Sequence, residues 1–398
     1  MKSIWIISQN SGTPKIGGVQ RHFFLSNIFN KKGLNTTIIV NAQNHFFSKS
    51  LKKGTQKLDG SYFYSIQTLF KFSKGVFRFL QMIEFGVKCL FLPFSRLNKP
   101  EIIILSSMSI FPLPAVLFLK YWYNAKFIFE VRDLWPLTPL KMKNISKWNP
   151  MILLISYLEK VGYRKADKIV TTLQDSETYI NSITNQPKKV EFISNGVPSS
   201  WIIHKKVNQK NDTIPNKLVI TYGGSFGIAN ALEPLVCFLE DQKDLSKKIK
   251  FNFIGSGYLK EKFLFRLSKY DNIHFYEKLN RKSLIKELIK SDLAFISWMD
   301  LPELYRYGVS AQKYYDYMAA GIPILSAQNG INDPVRRSGC GIIAENTPQG
   351  IRDGINKFLL LSEKERNEMV QRGRNYVKSF TYEKMAEKYI EIFQQFKI

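Results

Sequence analysis

The sequence predicts an α/β protein of two domains, each organised around a mainly parallel sheet. Its 398 residues suffice for two domains that each bury a core. In both halves, short apolar runs alternate with helical stretches, an order typical of parallel sheets covered by helices. A polar stretch at 204–217 is typical of an interdomain linker. We therefore expect domains at 1–203 and 218–380, followed by a final helix at 381–398.

Apolar runs bounded by polar or helical segments give the candidate strands. In the first half they are 4–8, 36–41, 102–106, 126–131, 168–172 and 190–194. In the second half they are 218–222, 251–254, 273–276, 293–297, 322–326 and 341–344. The last segment of the chain is amphipathic, because its apolar residues recur at helical spacing.

The chain is strongly basic, with 58 Lys and Arg against 32 Asp and Glu and a formal net charge of +26. The excess is uneven, because residues 1–200 hold 27 basic and 10 acidic residues. Such an excess favours nucleic acid or an anionic membrane as a partner, although a lysine-rich composition alone would also produce it. The sequence lacks base-stacking and groove-reading motifs, so we predict no nucleic-acid partner.

Cysteine usage and the length of apolar runs indicate the compartment. Three scattered cysteines form no metal-binding or redox spacing and favour a reducing environment. The four consecutive apolar residues near the N-terminus are too few for a signal peptide. No stretch approaches the roughly 18 apolar residues of a membrane-spanning helix. We therefore expect a cytoplasmic protein.

Residues 68–97 are the most distinctive segment of the first half. Seven phenylalanines are interleaved with five Lys or Arg, and Glu84 is the one acid. A helix of this composition can lie in a membrane interface, or it can pack on a core while its lysines reach solvent. An apolar run at 150–168 that ends in basic residues is a second candidate. The two segments predict a protein that is peripheral on the inner face of the cell membrane.

Residues 307–326, YGVSAQKYYDYMAAGIPILS, carry the strongest functional signal. They predict a loop, a short helix, a Gly-x-Pro turn and an apolar strand. Ser310 is the expected N-cap, with Ala311, Gln312 and Lys313 in the first turn. The unpaired N–H groups of a helix start and the Lys313 ammonium suit a phosphate, although an ordinary capped turn would show the same spacing.

Asp316 lies about one turn further along the same predicted helix. Its carboxylate can accept hydrogen bonds from the hydroxyls of a sugar. The helix would then hold a diphosphate and a ribose side by side.

Glycine pairs follow the first strand of each predicted domain. They are Gly17-Gly18 and Gly223-Gly224, and Ser225 adds a hydroxyl to the second pair. Glycines of this kind allow a close backbone approach to a ligand, and they also occur in turns that bind nothing. The spacing G-x-G-x-x-G is absent, which argues against a nicotinamide enzyme.

Two further candidate sites stand at predicted strand ends. Arg132 and Asp133 follow one strand, at the edge where open α/β sheets bind ligands. Arg132 could meet a phosphate or balance Asp133, and Asp133 could also be an ordinary turn residue. Lys278 and Leu279 follow another strand, and backbone groups there could contact a nucleotide base. No Asp-x-Asp pair ends a strand, so a divalent metal is not required for the diphosphate. We predict no metal site and no cofactor.

Five motifs together resemble the GT-B-fold retaining glycosyltransferases of family four over nearly the whole chain. They are GGVQRH at 17–22, EVRDLWP at 130–136, ISNGVP at 193–198, YGGSFG at 222–227 and GVSAQKYYDYMAAGIPIL at 308–325. The last motif is the most specific, because it is similar to a signature of two glutamates separated by seven residues. The most similar subgroup builds bacterial surface polysaccharides and includes N-acetylfucosamine transferases.

That resemblance implies two Rossmann-like domains facing a cleft, a nucleotide-sugar held mainly by the second domain, and a final helix that crosses back to the first. Asp316 takes the place of the second glutamate, which binds ribose. Gly308 stands where the first glutamate would be and supplies no carboxylate. Residues 225–230 hold no basic residue where relatives often carry Arg and Lys for the diphosphate, so Lys313 must carry more of the anion binding.

The implied reaction moves a sugar, an N-acetylated hexose or deoxyhexose, from a nucleoside-diphosphate donor to a hydroxyl with retention of configuration. UDP is the expected donor nucleotide, and a polyprenyl-diphosphate-linked saccharide at an anionic membrane is the expected acceptor. Arg132 and Asp133 replace a histidine common in the family's catalytic site. Asp133 would orient the sugar or the acceptor or assist the proton, and Lys313 would stabilise the leaving diphosphate. A sugar-nucleotide epimerase and a transferase with a soluble acceptor are the alternatives that keep this fold.

Overall fold

The chain forms two compact units in this computed structural model. Unit 1 comprises Met1–Ser194 and Tyr382–Ile398, and unit 2 comprises Asn195–Thr381. Unit 1 thus ends before the boundary predicted at residue 203. The structure describes residues 2–44, 47, 49–70, 76–95, 97–107, 109–185, 187, 190–203, 217–241, 248–329 and 333–396. The predicted linker, apart from Lys217, and residues 71–75 and 96 of the basic aromatic segment lie outside the described residues.

Unit 1 is built on an eight-stranded sheet. Its strands are β1 Ser3–Ile7, β2 Asn35–Asn41, β3 Gly54–Leu58, β4 Ser61–Ile66, β5 Ile102–Ser106, β6 Lys126–Val131, β7 Lys168–Thr171 and β8 Val190–Phe192. Its helices are α1 Arg21–Lys31, α2 Val76–Lys88, α3 Leu113–Tyr123, α4 Leu137–Lys143, α5 Pro150–Lys165 and α6 Ser176–Thr184, with a 3-10 helix at Cys89–Phe94. The strand order is β3-β4-β2-β1-β5-β6-β7-β8, and β3 pairs with β4 antiparallel while the other pairs are parallel.

Unit 2 is built on a six-stranded parallel sheet. Its strands are β9 Leu218–Gly223, β10 Ile249–Ile254, β11 Ile273–Tyr276, β12 Leu293–Ser297, β13 Ile324–Ala327 and β14 Gly341–Ala344. Its helices are α7 Glu233–Glu240, α8 Lys260–Leu267, α9 Arg281–Leu288, α10 Pro302–Tyr305, α11 Gln312–Ala320, α12 Pro334–Ser338, α13 Pro348–Leu360 and α14 Glu363–Val377, with 3-10 helices at Ser199–Trp201 and Ile228–Asn230. The strand order is β11-β10-β9-β12-β13-β14.

Each predicted strand is present with its ends within two residues of the expected positions. The prediction succeeded because parallel strands covered on both faces are almost continuously apolar, as the fully buried β1 and β5 show. The hairpin of β3 and β4 was missed. Its edge strand GTQKL is mainly polar and contains no fully buried residue, so it lacks the apolar signature of the buried strands.

The last helix, α15 Tyr382–Gln395, belongs to unit 1 and packs on α1. Phe29 of α1 makes edge-to-face contacts with Tyr389 and Phe393, at ring-centroid distances of 6.0 and 5.3 Å. The predicted return of the chain's final helix to the first domain is therefore confirmed. The apolar side predicted from helical spacing is the side that is buried.

A fully buried carboxylate, Glu130 near the end of β6, connects these elements. Its Oε1 accepts hydrogen bonds from Arg21 Nε at 2.7 Å and from the Tyr389 hydroxyl at 2.6 Å. Its Oε2 lies 2.7 Å from His22 Nε2, and the other nitrogen of that ring lies 2.6 Å from the Ser11 hydroxyl. Three elements that are distant in sequence, α1, β6 and α15, thus meet at one charged group in the core.

The pKa values of this cluster reflect strong coupling inside unit 1. Burial disfavours the charged form of Glu130, but Arg21 and His22 outweigh burial and hold the pKa of that carboxyl well below its usual range. Burial lowers the pKa of His22, so the ring is neutral at pH 7. Burial and the nearby carboxylate raise the pKa of Tyr389, which therefore remains a hydrogen-bond donor. A buried Arg–Glu pair is tolerated in a core when its other hydrogen bonds are satisfied. Removal of one partner leaves an uncompensated buried charge and destabilises the protein.

No helix in the described parts of the chain is long and apolar enough to cross a membrane.

We expect Glu130→Gln to lower the free energy of unfolding by about 3–5 kcal/mol, because Arg21 would stay buried without a carboxylate. Urea denaturation at pH 7 measures this change. Glu191→Gln, at a partly exposed carboxylate 3.9 Å from Lys168, is the control and should shift the value by less than about 0.5 kcal/mol. A loss below about 1 kcal/mol for Glu130→Gln would contradict the role given to the pair.

Candidate active site

Helix α11 and the strand that follows it form the centre of the candidate site in unit 2. The predicted turn is present, because Gly321 ends α11 at φ 71° and the chain continues into β13. The predicted N-cap is wrong. Ala311 occupies that position, no side chain caps the helix, and the Ser310 hydroxyl instead accepts a hydrogen bond from the Asn195 backbone N–H at 3.3 Å.

Lys313, in the first turn of α11, lies in a cage of aromatic and amide groups. Its ammonium donates to Asn230 Oδ1 and lies 3.4 Å from the Tyr222 hydroxyl. The ammonium also lies 4.8 Å from the ring centroid of Tyr222 and 5.0 Å from that of Trp298. Within the described residues no carboxylate pairs with it, and burial lowers the pKa of Lys313 to about 7. An ammonium held with neutral partners is prepared for an anionic ligand.

The glycine loop after β9 borders this cage. A Cβ atom added to Gly224 would lie 3.0 Å from Lys313 Cδ and 2.9 Å from the Tyr222 hydroxyl. The carbonyl of Ser225 accepts from the Tyr222 hydroxyl at 2.6 Å and from Asn230 Nδ2 at 2.8 Å. The structure therefore brings Gly224 and Ser225 together with Lys313, and a larger residue at position 224 would crowd the lysine stem and the Tyr222 hydroxyl.

Trp298 is oriented by a buried hydrogen-bond chain behind the cage. Its Nε1 donates to the Tyr314 hydroxyl at 2.9 Å, and that hydroxyl donates to Asp333 Oδ2 at 3.0 Å. Asp333 also accepts from the Ser326 hydroxyl at 2.7 Å. A ring fixed in this way keeps its face toward the ammonium.

Asp316 is buried, and Arg281 pairs with it through two hydrogen bonds. Arg281 Nη2 lies 2.5 Å from Oδ1 and Nε lies 3.1 Å from Oδ2, while Gln312 Nε2 lies 3.2 Å from Oδ1. Burial raises the pKa of the Asp316 carboxyl, and Arg281 opposes that rise. Four lone pairs face three described donors, so the carboxylate can accept a further hydrogen bond. A ribose hydroxyl would share these oxygens with Arg281.

The loop at 195–196 is tied to the start of α11. The carbonyl of Gly196 accepts from Gln312 Nε2 at 2.7 Å and from Arg281 Nη2 at 3.3 Å. Asn195 Nδ2 donates to the carbonyl of Ser310 at 2.5 Å. Asn195 and Gly196 therefore pack at the start of α11, although they lie more than a hundred residues earlier in the sequence.

Gly308 occupies the position of the missing first carboxylate of the signature, and its backbone conformation is one that glycine favours. Its φ is 105°, in the left-handed region that side-chain-bearing residues rarely adopt. The backbone at this position therefore favours glycine, and a glutamate would be strained there.

The predicted residues of unit 1 form a second group at the carboxyl edge of its own sheet. Gly17 and Gly18 adopt φ values of 90° and 86° in the loop after β1, and a Cβ atom at Gly18 would lie 2.8 Å from the Phe47 ring. Arg132 follows β6, and its backbone N–H donates to the Ser107 hydroxyl at 3.0 Å. These observations describe where the residues lie, and their catalytic and binding roles stay predictions.

Asp133, next along the chain, is exposed to solvent. The protein around it still desolvates the carboxyl group and raises its pKa, while Arg132 opposes that shift. A carboxylate that is accessible to solvent and has a raised pKa can orient a hydroxyl or accept a proton.

Lys278 and Leu279 lie between β11 and α9, two to three residues before Arg281. Both are exposed, and no described contact joins them to the Lys313 cage. Their contact with a base stays a prediction. Arg281 itself was missed by sequence reasoning, because no motif spacing connects it with Asp316, which lies 35 residues further along the chain.

The cage residues Tyr222, Asn230 and Trp298 were also missed as ligands of Lys313. Tyr222 stood inside the quoted motif YGGSFG, which was the available signal, but its ring orientation depends on packing. In the described part of the chain, no group of three or more His, Cys, Asp or Glu residues could hold a metal ion.

Comparison with solved structures defines the class of fold. Sucrose-phosphate synthase from Thermosynechococcus elongatus matches with a TM-score of 0.78 at 13% identity, covering 99% of each chain. The E. coli trehalose-6-phosphate structure bound with UDP-2-fluoro glucose matches with a TM-score of 0.72 at 12% identity, covering 99% of both chains. Anabaena Alr3699/HepE in complex with UDP and glucose matches with a TM-score of 0.67 at 12% identity, covering 99% of this chain and 100% of that one. The chain has the GT-B fold, as predicted.

Sequence comparisons extend this class assignment. A family model described as glycosyl transferase-like matches residues 234–391. The probable glycosyltransferase WbjE of Pseudomonas aeruginosa is 23% identical over 265 residues, which are 64% of this chain. The match spans 63% of the length of that relative. The predicted class, a nucleoside-diphosphate-sugar glycosyltransferase, agrees with these comparisons.

We expect Lys313→Met to stabilise the protein by about 1 kcal/mol at pH 7, a rise in Tm of about 2–4 °C, because it removes a partly buried charge that lacks a carboxylate partner among the described residues. The folded-state pKa lies below the unfolded-state value of 10.5, so the charge destabilises most below pH 7. The wild type therefore gains stability as the pH rises, and the advantage of the variant should disappear and then reverse between pH 7 and about 9.5. Thermal denaturation at both pH values measures the two differences.

Lys290→Met, at an exposed lysine paired with Glu287, is the matched control and should change stability by less than about 0.5 kcal/mol. A destabilised Lys313→Met variant with no pH dependence would contradict the assignment of an unpaired buried charge.

Proposed function

We propose that the protein is a retaining glycosyltransferase that moves a sugar from a UDP-sugar to a hydroxyl of a lipid-linked saccharide. The sugar is an N-acetylated hexose or deoxyhexose, and the product belongs to surface polysaccharide synthesis. The similarity to WbjE and to the glycosyl transferase-like model supports the reaction class. UDP and UDP-sugars bound to the Anabaena and E. coli neighbours support the choice of donor nucleotide.

The Lys313 cage is the observation that carries this proposal. A partly buried ammonium with aromatic and amide partners binds an anion more strongly than an exposed lysine does, because little water must be removed from it. Gly224 leaves space beside the lysine stem for a close approach. The diphosphate of a nucleotide-sugar is the anion that fits a glycine loop followed by a lysine at a helix start.

Charge balance gives Lys313 its catalytic role. In the transfer, the bond between the anomeric carbon and the diphosphate oxygen breaks, and a bond to the acceptor oxygen forms on the same face. Negative charge grows on the leaving diphosphate, which takes the proton of the acceptor hydroxyl. The Lys313 ammonium stabilises that charge, which lowers the barrier more than it favours the bound donor.

Asp316 and Arg281 would hold the ribose of the donor. The Asp316 carboxylate retains acceptor capacity beyond the bonds from Arg281 and Gln312. Arg281 orients the carboxylate and opposes the rise in its pKa that burial causes, and its guanidinium lies 5.1 Å from the Trp201 ring. Arg281 is therefore a positioning residue in this proposal.

We expect UDP binding to draw a proton from solution at pH 8, because the diphosphate raises the pKa of Lys313 from about 7. Uptake approaches one proton per site, and UDP affinity falls by up to about tenfold per pH unit above pH 7. Isothermal titration in two buffers of different ionisation enthalpy measures the uptake. Lys313→Met should abolish it and weaken UDP binding, and Lys290→Met should do neither.

The same titration, extended to GDP and dTDP, tests the choice of base. A 2′,3′-dideoxy form of UDP tests the ribose contact, and Asp316→Asn should remove the preference for UDP over that form. Binding of UDP by the wild type without proton uptake would contradict the role of Lys313. Absence of binding to every nucleotide would contradict the proposed function.

For the acceptor side we expect Asp133→Asn to lower kcat by about 10²–10⁴-fold while leaving the Kd for UDP within a factor of about two, because the exposed carboxylate orients the acceptor hydroxyl or assists its proton. Transfer of radiolabelled sugar to a polyprenyl-diphosphate-linked saccharide gives kcat. Asp175→Asn, at another carboxylate of unit 1, is the control. Near-normal turnover of Asp133→Asn would show that this role is wrong. Sugar-nucleotide turnover without any acceptor would instead favour an epimerase.

A further inference from the structure

Unit 1 exposes large apolar side chains on one set of neighbouring helices. The set comprises α2, the 3-10 helix Cys89–Phe94, α3 and α5, and we call its outer side the aromatic face. Among its members, Phe94 is 84% exposed, Trp122 is 62% exposed and Tyr157 is 66% exposed. Further exposed members are Phe77, Phe91, Phe118, Tyr121, Leu153 and Leu154. Exposed apolar side chains that cluster in this way mark an interaction surface.

Sheet topology makes this face continuous. The strand order runs β4, β2, β1, β5, β6, β7, β8, so the connections from β4 to β5, β5 to β6 and β6 to β7 all advance in the same direction. Right-handed crossovers place the connecting helices on the same side of the sheet. Helix α3 accordingly contacts α2, the 3-10 helix and α5.

Charge on the aromatic face is basic. The four segments contain six Lys or Arg and two Glu. Glu84 is paired with Lys88 at 2.6 Å, and Glu159 is buried and accepts from the Tyr163 hydroxyl at 2.8 Å. Lys120 is paired with Asp167 at 2.8 Å, and the exposed basic residues at the end of α5 are Arg164 and Lys165. The outer side therefore combines tryptophan, tyrosine and phenylalanine with positive charge, the composition that interfacial helices use on anionic lipid.

We propose that the aromatic face docks the protein on an anionic lipid bilayer, with its aromatic rings at the level of the headgroups and its basic residues on lipid phosphates. Apolar burial and attraction to anionic lipid act together, and neither requires a helix that crosses the membrane. The inference deepens the proposed function, and it rests on that function only for the reason why the protein visits a membrane, namely a lipid-linked acceptor.

Vesicle flotation with the full chain tests the proposal. We expect flotation with phosphatidylcholine vesicles that contain about 30 mol% phosphatidylglycerol in about 50 mM salt, and little with phosphatidylcholine alone or in about 500 mM salt. The triple variant Phe94→Ser, Trp122→Ser, Tyr157→Ser should raise the lipid concentration for half-maximal binding at least about tenfold. Arg164→Glu with Lys165→Glu should have a similar effect on anionic vesicles.

Matched controls lie in unit 2. Phe265 is 86% exposed and Tyr258 is 60% exposed, so Phe265→Ser with Tyr258→Ser removes comparable apolar surface outside the aromatic face. Lys357→Glu with Lys364→Glu reverses two exposed charges there. Both controls should float like the wild type. Circular dichroism and Tm verify that each variant is folded.

The outcomes separate this inference from the proposed enzyme activity. A wild type that does not float on anionic vesicles in low salt, or controls that lose binding as much as the face variants, would overturn the docking surface. The docking surface would also be overturned if the wild type bound random duplex DNA but no vesicles, and the face variants lost the DNA binding. UDP titration without lipid measures nucleotide binding independently of membrane binding. Face variants that retain UDP binding but no longer float support the proposal. A wild type that floats but binds no nucleotide would contradict only the enzyme activity.

Discussion

The buried carboxylate of Glu130 is the interaction on which the rest of unit 1 depends. It lies near the end of a central strand, where a charge is tolerated only if it is paired and hydrogen-bonded. Arg21, His22 and Tyr389 supply these contacts, so the first helix, the central strand and the last helix must all be in place at once. The loop that carries Arg132 and Asp133 begins where this strand ends, so the hydrogen bonds of Glu130 anchor the strand end from which that loop starts.

In unit 2, one charged group of helix α11 has a partner of opposite charge and another has only neutral partners among the described residues. Asp316 is neutralised locally by Arg281, which makes an oriented acceptor for hydroxyl groups. Lys313, on the same short helix, has only neutral partners among the described residues. Partial burial of a charge without a counter-charge costs stability, and an anionic ligand at this position would offset that cost.

Much of the fold could be predicted because parallel strands are apolar along their whole length, and β1, β5 and β12 are buried at every position. The polar edge strand β3 could not, because its residues carry no such pattern. The N-cap predicted at Ser310 was wrong because tertiary contacts decide which partner its hydroxyl takes. A hydroxyl near a helix start has several possible partners, and the chain that approaches from Asn195 takes this one.

The sequence by itself determined the two-sheet architecture, the final helix and the positions of the glycine loops, because periodicity and backbone preference act over a few neighbouring residues. Only the tertiary structure decided which groups face Lys313 and Asp316. The cage draws on Tyr222, Asn230 and Trp298, and Arg281 reaches Asp316 from another helix. Residue 313 was recognisable as a basic residue at a helix start, but its set of neutral partners, which gives the candidate site its chemistry, depends on how distant segments pack.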